Sequence, residues 1–367
     1  MASKLKQNII LLAITIIFFL AFLEIGTRII AHLSPKFACD AFSNPDDWFV
    51  CGLEFILPKT ADEHNQSGII LDQKICDKWD AELGWVPNPN CNSVRSSVRY
   101  TTNSQGFRGI KEFKPEKNRT RTIIVGDSFT WGENNQDNET YPFYLDKLFN
   151  GSIDVINMGV HGYGPDQFYL YYMRNGSKYK PDIVIFGLFL PDIHRTAFKV
   201  RSFFKPRFII ENDKLKLDPS STNIPDLKTA LEMSSAIKKK PRLYSISYAL
   251  GILNKASRLI SSYKDEVNLT LKIVEEMNSK LKENNTRLIV LLIPEHDMVE
   301  KNNDDYYGAI PLLTRNLEKN NIEYINLQPI FKREFLLNNQ SLYMGHLKPS
   351  GNLVIAKELM GHLNKNP

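Results

Sequence analysis

The sequence has little of several features that mark common protein classes. Its 367 residues include only four cysteines and seven histidines, and we find neither a low-complexity tract nor an internal repeat. The formal net charge is +5, and the 46 lysines and arginines are spread along the chain. A protein that binds nucleic acid is expected to present a concentrated basic patch. We therefore expect no nucleic-acid partner.

The motifs of metal and nucleotide sites are also missing. His194 and His296 belong to no HxH or HExxH pattern, which would place two metal ligands on one face. The chain also lacks the lysine and the spacing of a GxxxxGKS or GxxxxGKT phosphate-binding loop, which argues against a nucleotide-binding protein. We expect no metal and no cofactor.

One long apolar run is present near the N-terminus. It is unbroken from Ile9 to Leu23 and continues to about Ile30, and a helix of about 20 residues spans the hydrocarbon layer of a membrane. Lys4 and Lys6 precede it, which favours a cytoplasmic N-terminus. We predict a short cytoplasmic segment at 1–8, a transmembrane anchor in the lipid bilayer at 9–30, and an extracytoplasmic C-terminal domain.

A cleaved signal peptide is the alternative to this anchor. Cleavage requires small residues at the processing point, and Ala31–Ser34 (AHLS) matches that requirement poorly. Glu24 and Arg28 are four residues apart, so they can pair on one helical face near the outer interface. The uncleaved anchor is the interpretation that we favour.

All four cysteines follow the predicted anchor, within an extension at 31–118 that has few clear periodicities and that we expect to be irregular. An even number of cysteines outside the cytoplasm predicts two disulfides, and three pairings are open. A zinc site is the weaker alternative, because the spacings contain no CxxC pair. The disulfide candidates are Cys39, Cys51, Cys76 and Cys91.

The pattern changes after the extension, and residues 119–367 alternate short apolar runs with amphipathic segments, as in a parallel sheet between helical layers. The predicted strands are Arg121–Val125, Ile153–Asn157, Asp182–Leu188, Arg287–Ile293 and Glu323–Leu327. The predicted helices are Tyr141–Phe149, Pro165–Asn175, Val267–Glu283, Ala309–Lys319 and Pro349–Leu363. These elements predict an α/β fold, a three-layer α/β/α sandwich around a five-stranded parallel sheet.

An insertion at about 195–265 separates the third strand from the fourth by more than a crossover needs. Long insertions of this kind commonly form lids or partner surfaces, although a solvated loop fits equally well. Its basic segment Lys238–Pro241 permits contact with lipid headgroups, and the insertion as a whole could contact a membrane protein partner.

The run TIIVGDSFTWG, from Thr122 to Gly132, ends a predicted buried strand on Gly-Asp-Ser. The residue after such a strand lies at the carboxyl edge of the sheet, where backbone N–H groups can stabilise a negative oxygen. Ser128 is thus well placed to be a nucleophile, and Asp127 would shape the turn. The tripeptide alone is weak evidence for a catalytic serine, because Gly-Asp-Ser is also common in ordinary turns.

Two further stretches strengthen this interpretation. The second strand ends in a glycine block, Asn157–Gly164 (NMGVHGYG), which suits close backbone approach and a second N–H donor. GHLKPSG, from Gly345 to Gly351, places His346 just before a helix opened by Pro349. A neutral imidazole there can accept the proton of the serine.

With these blocks in this order, and with TTNSQGFR at Thr101–Arg108 upstream, the sequence resembles the SGNH, or GDSL-type, hydrolases in their membrane-anchored form. The resemblance covers roughly residues 100–363 and implies the flavodoxin-like SGNH fold. It implies Ser128 as the nucleophile, with its own N–H in the oxyanion hole. It also implies Gly162 as the second N–H donor and His346 as the base.

Two positions depart from the family pattern. Pro191 occupies the place of the asparagine that usually donates to the oxyanion, and proline has no N–H to donate. Met344 and Tyr343 occupy the places where an acid usually precedes the histidine. An orienting acid must then come from elsewhere. The candidates are three residues that follow strands: Asp192, Glu295 and Asp297. The alternative for each is an exposed acid in a loop.

Aromatic and polar residues beside the predicted site are weaker candidates for substrate binding. Trp131 and Tyr163 could stack on a sugar ring, although core packing explains them equally well. His161 could face the site, although a turn histidine bonded by the backbone is the simpler interpretation. Asp127 completes this group.

We therefore expect a membrane-anchored serine esterase or O-acyltransferase that acts on O-acyl groups, for example acetyl, of an extracytoplasmic glycan or lipid. The alternative is a catalytically inactive SGNH fold that binds a glycan or scaffolds a membrane complex. The two missing residues keep this alternative open.

Overall fold

A computed structural model of the protein describes residues 2–33, 70–72, 76–199, 204–222, 226, 228–229, 262–301 and 308–365. The predicted disulfide candidates Cys39 and Cys51, most of the 195–265 insertion and its basic segment Lys238–Pro241 lie outside these residues.

The centre of the fold is a five-stranded parallel sheet. Its strands are β6 (Thr120–Gly126), β7 (Ile153–Gly159), β8 (Ile183–Phe189), β11 (Arg287–Ile293) and β12 (Glu323–Asn326). The order across the sheet is β12-β11-β8-β6-β7, and every neighbouring pair is parallel. This is the 2-1-3-4-5 order of flavodoxin-like folds. The predicted five-stranded parallel sheet is confirmed, with strand ends that differ by one or two residues.

Both faces of this sheet are buried, which explains the near-continuous runs of Val, Ile and Leu in its strands. In β6, Ile123 and Val125 belong to one apolar core, whereas Ile124 between them belongs to another. The same alternation continues in β11, where Val290 faces the first core and Leu291 the second. Since side chains alternate across a strand, the two cores lie on opposite faces of the sheet. Each core separates the sheet from one of the two helical layers of a three-layer sandwich.

Helices cover the two faces. In chain order after the N-terminal helix they are Ser128–Trp131, Tyr141–Leu148, Pro165–Tyr171, Ser262–Lys282, His296–Glu300, Ala309–Lys319, Gln328–Asn338 and Pro349–Lys365. Shorter turns of 3-10 helix lie at Asp137–Glu139, Ser177–Tyr179, Leu190–Ala197 and Pro219–Ser221, and a π-helical turn at Tyr172–Gly176. Gln328–Asn338 is an addition to the predicted helices, and the predicted helix Pro165–Asn175 ends in the π-helical turn.

The expectation of an irregular extension does not hold for its described part. Short antiparallel strands are present at β1 (Ile70–Asp72), β2 (Asp77–Asp80), β3 (Gly84–Pro87), β4 (Asn92–Arg95) and β5 (Val98–Thr101). They form a sheet of β1, β2 and β3 and a hairpin of β4 and β5. A disulfide joins Cys76 to Cys91, so one of the open cysteine pairings is present.

The beginning of the 195–265 insertion is attached to the main domain. It forms a hairpin of β9 (Phe208–Glu211) and β10 (Lys214–Leu217). Just before the hairpin, the Lys205 ammonium pairs with the Asp166 carboxylate, and both side chains are fully buried. This ion pair joins the insertion to the first turn of the helix that follows the glycine block.

The N-terminal helix runs from Ala2 to Leu33, and Arg28 donates to Glu24 at 2.7 Å. Among the described residues, no helix has both the length and the apolar character needed to cross a membrane. The anchor at 9–30 stays a prediction.

Candidate active site

Ser128 lies at the end of β6, in a tight turn. Asp127 caps the helix Ser128–Trp131 by accepting from the Phe129 N–H at 2.9 Å. Ser128 is the first residue of that helix, so its own N–H has no partner within the helix. A side chain at Gly126 would lie 2.0 Å from Thr130 Oγ1. A residue with a Cβ at position 126 would therefore force the Thr130 side chain to move.

His346 is presented by a small hairpin before the last helix. Its strands are β13 (Tyr343–Met344) and β14 (His346–Leu347), with Gly345 at φ 75° between them. Asn135 Nδ2 donates to the Leu347 carbonyl at 2.8 Å, which fixes β14 beside the nucleophile turn. His346 Nε2 lies 2.9 Å from Ser128 Oγ. The structure thus brings the predicted nucleophile and the predicted base into hydrogen-bonding contact.

The environment of His346 keeps the imidazole neutral. Burial is the largest influence and lowers the pKa of His346 to about 4. The Asp127 carboxylate opposes this by raising the pKa, and the neighbouring His161, Arg195 and Arg95 lower it further. An unprotonated Nε2 near neutral pH is the state that a general base needs.

No described carboxylate lies beside the other ring nitrogen of His346, and the hydrogen bond to Ser128 is the one that its side chain makes with the described residues. The three proposed orienting acids have other surroundings. Asp192 is fully buried and pairs with Arg195 at 2.7 Å, so it is not an exposed loop acid. Asp297 bonds to His296 at 2.9 Å and to Lys301 at 3.0 Å.

Glu295, the third proposed acid, is half-buried before the short helix His296–Glu300. Burial raises the pKa of Glu295, and the neighbouring charge of Asp297 adds to this effect. The carboxylate that contacts the Ser128–His346 pair is instead Asp127, which accepts from Ser128 Oγ at 3.1 Å.

The glycine block packs closely on the nucleophile turn. Val160 N–H donates to the Gly126 carbonyl at 3.0 Å, and a side chain at Gly159 would lie 2.2 Å from the Trp131 backbone nitrogen. Gly162 has φ 70°, a conformation that suits glycine. Its role as the second oxyanion donor stays a prediction. Pro191 lies in the 3-10 turn Leu190–Ala197 and has no N–H to add.

The proposed substrate-binding roles of Trp131, Tyr163 and Asp127 disagree with their burial. All three side chains have no exposed surface, so they cannot offer a face to a sugar ring. Trp131 packs against the ring of His161, 4.7 Å away, and against that of Tyr100, 6.5 Å away. Tyr163 packs against Trp85 in the extension. Trp131 and Tyr163 are therefore core residues that pack beneath the surface next to the site.

The ring nitrogens of His161 contact carboxylates and not the backbone, so the interpretation of a histidine bonded by the backbone is wrong. His161 Nε2 lies 2.6 Å from Glu133 Oε2, and His161 Nδ1 lies 3.5 Å from Asp77 Oδ2. Glu133 also pairs with Arg95. Two of these partners, Asp77 and Arg95, come from the strands of the extension, so this segment forms a wall of the site.

Several residues near the site were missed by the sequence analysis, namely Arg195, Glu133, Arg95 and Asp77. Each is a charged residue whose partner is far away in sequence, as in the contact of Arg195 with Asp127, 68 residues apart. No local pattern identifies such a pair. Among the described residues, no cluster of three or more His, Cys, Asp or Glu side chains is suited to a metal ion.

Comparison with known proteins adds distant similarities of fold only. No protein-family model and no curated protein matches the chain. Among solved structures, it is similar to an acetyl xylan esterase, AlAXEase, with a TM-score of 0.43 and 14% identity over 66% of this chain and 98% of that chain. It is also similar to a protein of the G-D-S-L lipolytic family from Desulfitobacterium hafniense DCB-2, with a TM-score of 0.36 and 14% identity over 65% of this chain and 97% of that chain.

A third similar structure is an acetyl xylan esterase from Geobacillus stearothermophilus, with a TM-score of 0.39 and 14% identity over 67% of this chain and 95% of that chain. The identity and the TM-scores are too low for an activity to be transferred from these proteins. The functional assignment therefore depends on the geometry of Ser128, His346 and their neighbours.

Proposed function

We propose that the protein is a serine esterase or O-acyltransferase that uses a Ser128–His346 dyad. The observation that carries this proposal is the 2.9 Å contact between Ser128 Oγ and His346 Nε2 at the carboxyl edge of the sheet. A hydroxyl activated by an adjacent neutral imidazole is the arrangement that nucleophilic acyl transfer requires.

In the proposed reaction, Ser128 Oγ attacks the ester carbonyl while His346 Nε2 accepts the hydroxyl proton. The N–H groups of Ser128 and Gly162 hold the oxyanion. His346 then returns the proton to the leaving alcohol, and an acyl-enzyme remains on Ser128. A water molecule or a sugar hydroxyl resolves this intermediate, with His346 again acting as base. Hydrolysis and transfer differ only in this last acceptor.

The substrate class that we propose is an O-acyl group, for example acetyl, on a glycan or lipid outside the cytoplasm. The location follows from the predicted anchor at 9–30, whose flanking lysines favour export of the remaining chain. The disulfide Cys76–Cys91 fits an oxidising compartment. The bilayer would then hold the site close to membrane-associated substrate.

A catalytically inactive glycan-binding or scaffolding protein is the second candidate, with the 195–265 insertion as its contact surface for a membrane protein partner. Two observations favour it. Pro191 cannot donate to an oxyanion, and no described carboxylate orients the far side of His346. Loss of one oxyanion donor costs about 100- to 1,000-fold in rate, and a misoriented histidine about 10,000-fold.

Labelling with a serine-directed fluorophosphonate decides between these functions. The full-length wild-type protein should be labelled, whereas Ser128→Ala should not. The exposed Ser104, which bonds to Glu112 away from the site, offers a matched control, and Ser104→Ala should label like the wild type. An unlabelled wild type that still binds glycan would favour the second candidate.

The anchor is tested separately by fractionation. The full chain should stay with membranes after alkaline carbonate extraction, whereas a variant without residues 2–33 should be released. If both proteins were extracted to the same extent, residues 2–33 would not be a membrane anchor. This result would not affect the proposed chemistry of Ser128 and His346.

A further inference from the structure

The Ser128 hydroxyl has one proton and two neighbouring acceptors. His346 Nε2 lies 2.9 Å from Ser128 Oγ, and Asp127 Oδ2 lies 3.1 Å from it. Only a hydroxyl that directs its proton at His346 Nε2 can transfer this proton to the base of the proposed reaction. A hydroxyl that donates to Asp127 instead points its proton away from the base. The reaction therefore requires that the hydrogen bond from Ser128 to Asp127 be weakened.

Arg195 contacts the same carboxylate oxygen. Its Nη1 lies 3.3 Å from Asp127 Oδ2 and donates to the Tyr163 carbonyl at 2.7 Å. The same nitrogen lies 2.7 Å from Asp192 Oδ1. The other oxygen of Asp127 accepts from the Phe129 N–H at 2.9 Å. Both oxygens of Asp127 thus have donors other than Ser128.

We propose that Arg195 is a positioning residue that occupies the Asp127 carboxylate and so directs the Ser128 proton to His346. This inference rests on the function proposed above, because it assigns a role within that reaction. The role is unlike that of the missing asparagine, since Arg195 acts through Asp127 and not on the oxyanion.

The fold favours this role for Arg195. It lies in the 3-10 turn Leu190–Ala197 that directly follows β8, the neighbour of β6 in the sheet. A side chain at Gly164 would lie 2.8 Å from the Arg195 Cβ, so the glycine block leaves room for the arginine. Its side chain is only 13% exposed, and Asp192, three residues earlier, holds it in place. Charge-assisted bonds in such a buried setting are stronger than those between neutral groups.

Arg195 also joins two separate parts of the site. Its bond to the Tyr163 carbonyl holds the loop next to Gly162, and its contact with Asp127 holds the nucleophile turn. Loss of Arg195 should therefore disturb the transition state more than the binding of a small ester. In kinetic terms, kcat should fall while KM for p-nitrophenyl acetate changes little.

The charges around His346 supply a second readout. The titratable groups that act on its ring are Asp127, which raises the pKa of His346, and His161, Arg195 and Arg95, which lower it. Removal of the Arg195 charge should raise the pKa of His346. The acidic limb of kcat/KM should then move to higher pH in Arg195→Gln and stay in place in Arg195→Lys, which keeps the positive charge.

The experiment compares Arg195→Gln and Arg195→Lys with wild type in the full-length protein. Arg333→Gln is the matched control, because Arg333 is 59% exposed and pairs with Glu334 and Glu358 on the surface. We expect the rate of fluorophosphonate labelling to fall about 100-fold in Arg195→Gln, the size of effect that follows a small misplacement of reacting groups. Arg195→Lys should retain more activity, and Arg333→Gln should equal the wild type.

A double-mutant cycle with Asp127→Asn shows whether Arg195 acts through Asp127. An asparagine at this position carries no negative charge to be neutralised, so Arg195→Gln should cost much less in the Asp127→Asn background. Additive losses would overturn the inference, as would a normal labelling rate and an unmoved acidic limb in Arg195→Gln. If Arg195→Gln does not fold, Arg195→Lys is judged by the same cycle. An unlabelled wild type would instead overturn the proposed function, and the inference with it.

Discussion

His346 Nε2 and Ser128 Oγ lie 2.9 Å apart although 218 residues separate them in the chain. Ser128 follows β6, which lies between β8 and the edge strand β7, and the hairpin before the last helix places His346 beside it. In flavodoxin-like sheets, sites form outside the carboxyl ends of the strands, where the strand order reverses. The reversal here lies between β6 and β8, and the dyad and Arg195 both lie at this point.

The first prediction concerns the pH dependence of activity. Burial lowers the pKa of His346 to about 4, so the base stays unprotonated as the pH falls from 7 to about 5. Protonation at lower pH removes the acceptor for the Ser128 proton. We expect kcat/KM for p-nitrophenyl acetate to be constant over that range and to fall through about pH 4, measured as a pH profile. An acidic limb near the ordinary histidine pKa of about 6.5 would contradict the buried setting.

The second prediction concerns the close packing of the glycine block on the nucleophile helix. In Gly159→Ala, the new Cβ would lie 2.2 Å from the Trp131 backbone nitrogen, so the helix that begins at Ser128 must shift. We expect labelling of Ser128 to fall at least about 100-fold. The control is Gly361→Ala in the last helix, where a Cβ meets nothing within 4 Å. That variant should label normally and be equally or more stable, because alanine favours helix.

The third prediction concerns the disulfide between Cys76 and Cys91, which are 15 residues apart. Replacing both by serine should lower the free energy of unfolding by about 3 kcal/mol, the loop-closure estimate for such a spacing. Chemical denaturation of the oxidised proteins measures this difference. Under reducing conditions the wild type should approach the variant. If the two proteins are equally stable when oxidised, the bond contributes nothing to the folded state.

The disulfide should matter for the site as well as for stability. Cys76 packs with Tyr100 and Trp131 in a small buried cluster, and Trp131 belongs to the nucleophile helix. We expect the double serine variant to label more slowly than the wild type at a temperature where both are folded. An unchanged labelling rate would show that the extension stabilises the fold without shaping the site.

The fourth prediction concerns the buried ion pair of Lys205 and Asp166, whose side chains are fully buried. Lys205→Met leaves a buried carboxylate without its cation and should cost about 3–5 kcal/mol of unfolding free energy. The double variant Lys205→Met with Asp166→Leu removes both charges and should recover most of that loss. Urea unfolding of the single and double variants checks this, and a double variant no more stable than the single one would contradict it.

A surface pair provides the control for this ion pair. Lys216 and Glu211 pair on the β9–β10 hairpin with more than half of each side chain exposed. Because exposed ion pairs contribute about 0–1 kcal/mol, Lys216→Met should change the stability little.

Much of the central fold could be predicted because its signals are local. The strand β11 was predicted with its observed bounds, and β6 within one residue at each end, because both are continuous β-branched or aliphatic runs buried on both faces. The helix Gln328–Asn338 was missed because its apolar periodicity is weak. Only Phe331 is fully buried in it, while Leu336 and Leu337 are more than 70% exposed.

The extension was misjudged for a different reason. Its described strands have three or four residues each, too few to show a period. They are held by contacts that the local sequence does not contain. Trp85 donates to the His161 carbonyl at 2.8 Å, and Gln167 donates to the Leu83 carbonyl at 2.8 Å. The order of this segment thus comes from the domain on which it packs.

The order of residues along the chain was enough to identify a candidate nucleophile and a candidate base, because it shows a serine after a buried strand and a histidine before a final helix. It also showed that an asparagine donor and an acid were missing. The positions of Asp127 and Arg195 near the Ser128 hydroxyl became visible only in the folded protein. The burial of Trp131 and Tyr163 also became visible only there. Hydrogen bonds and burial depend on distances of a few ångströms between elements, and these distances are set by packing and not by local sequence.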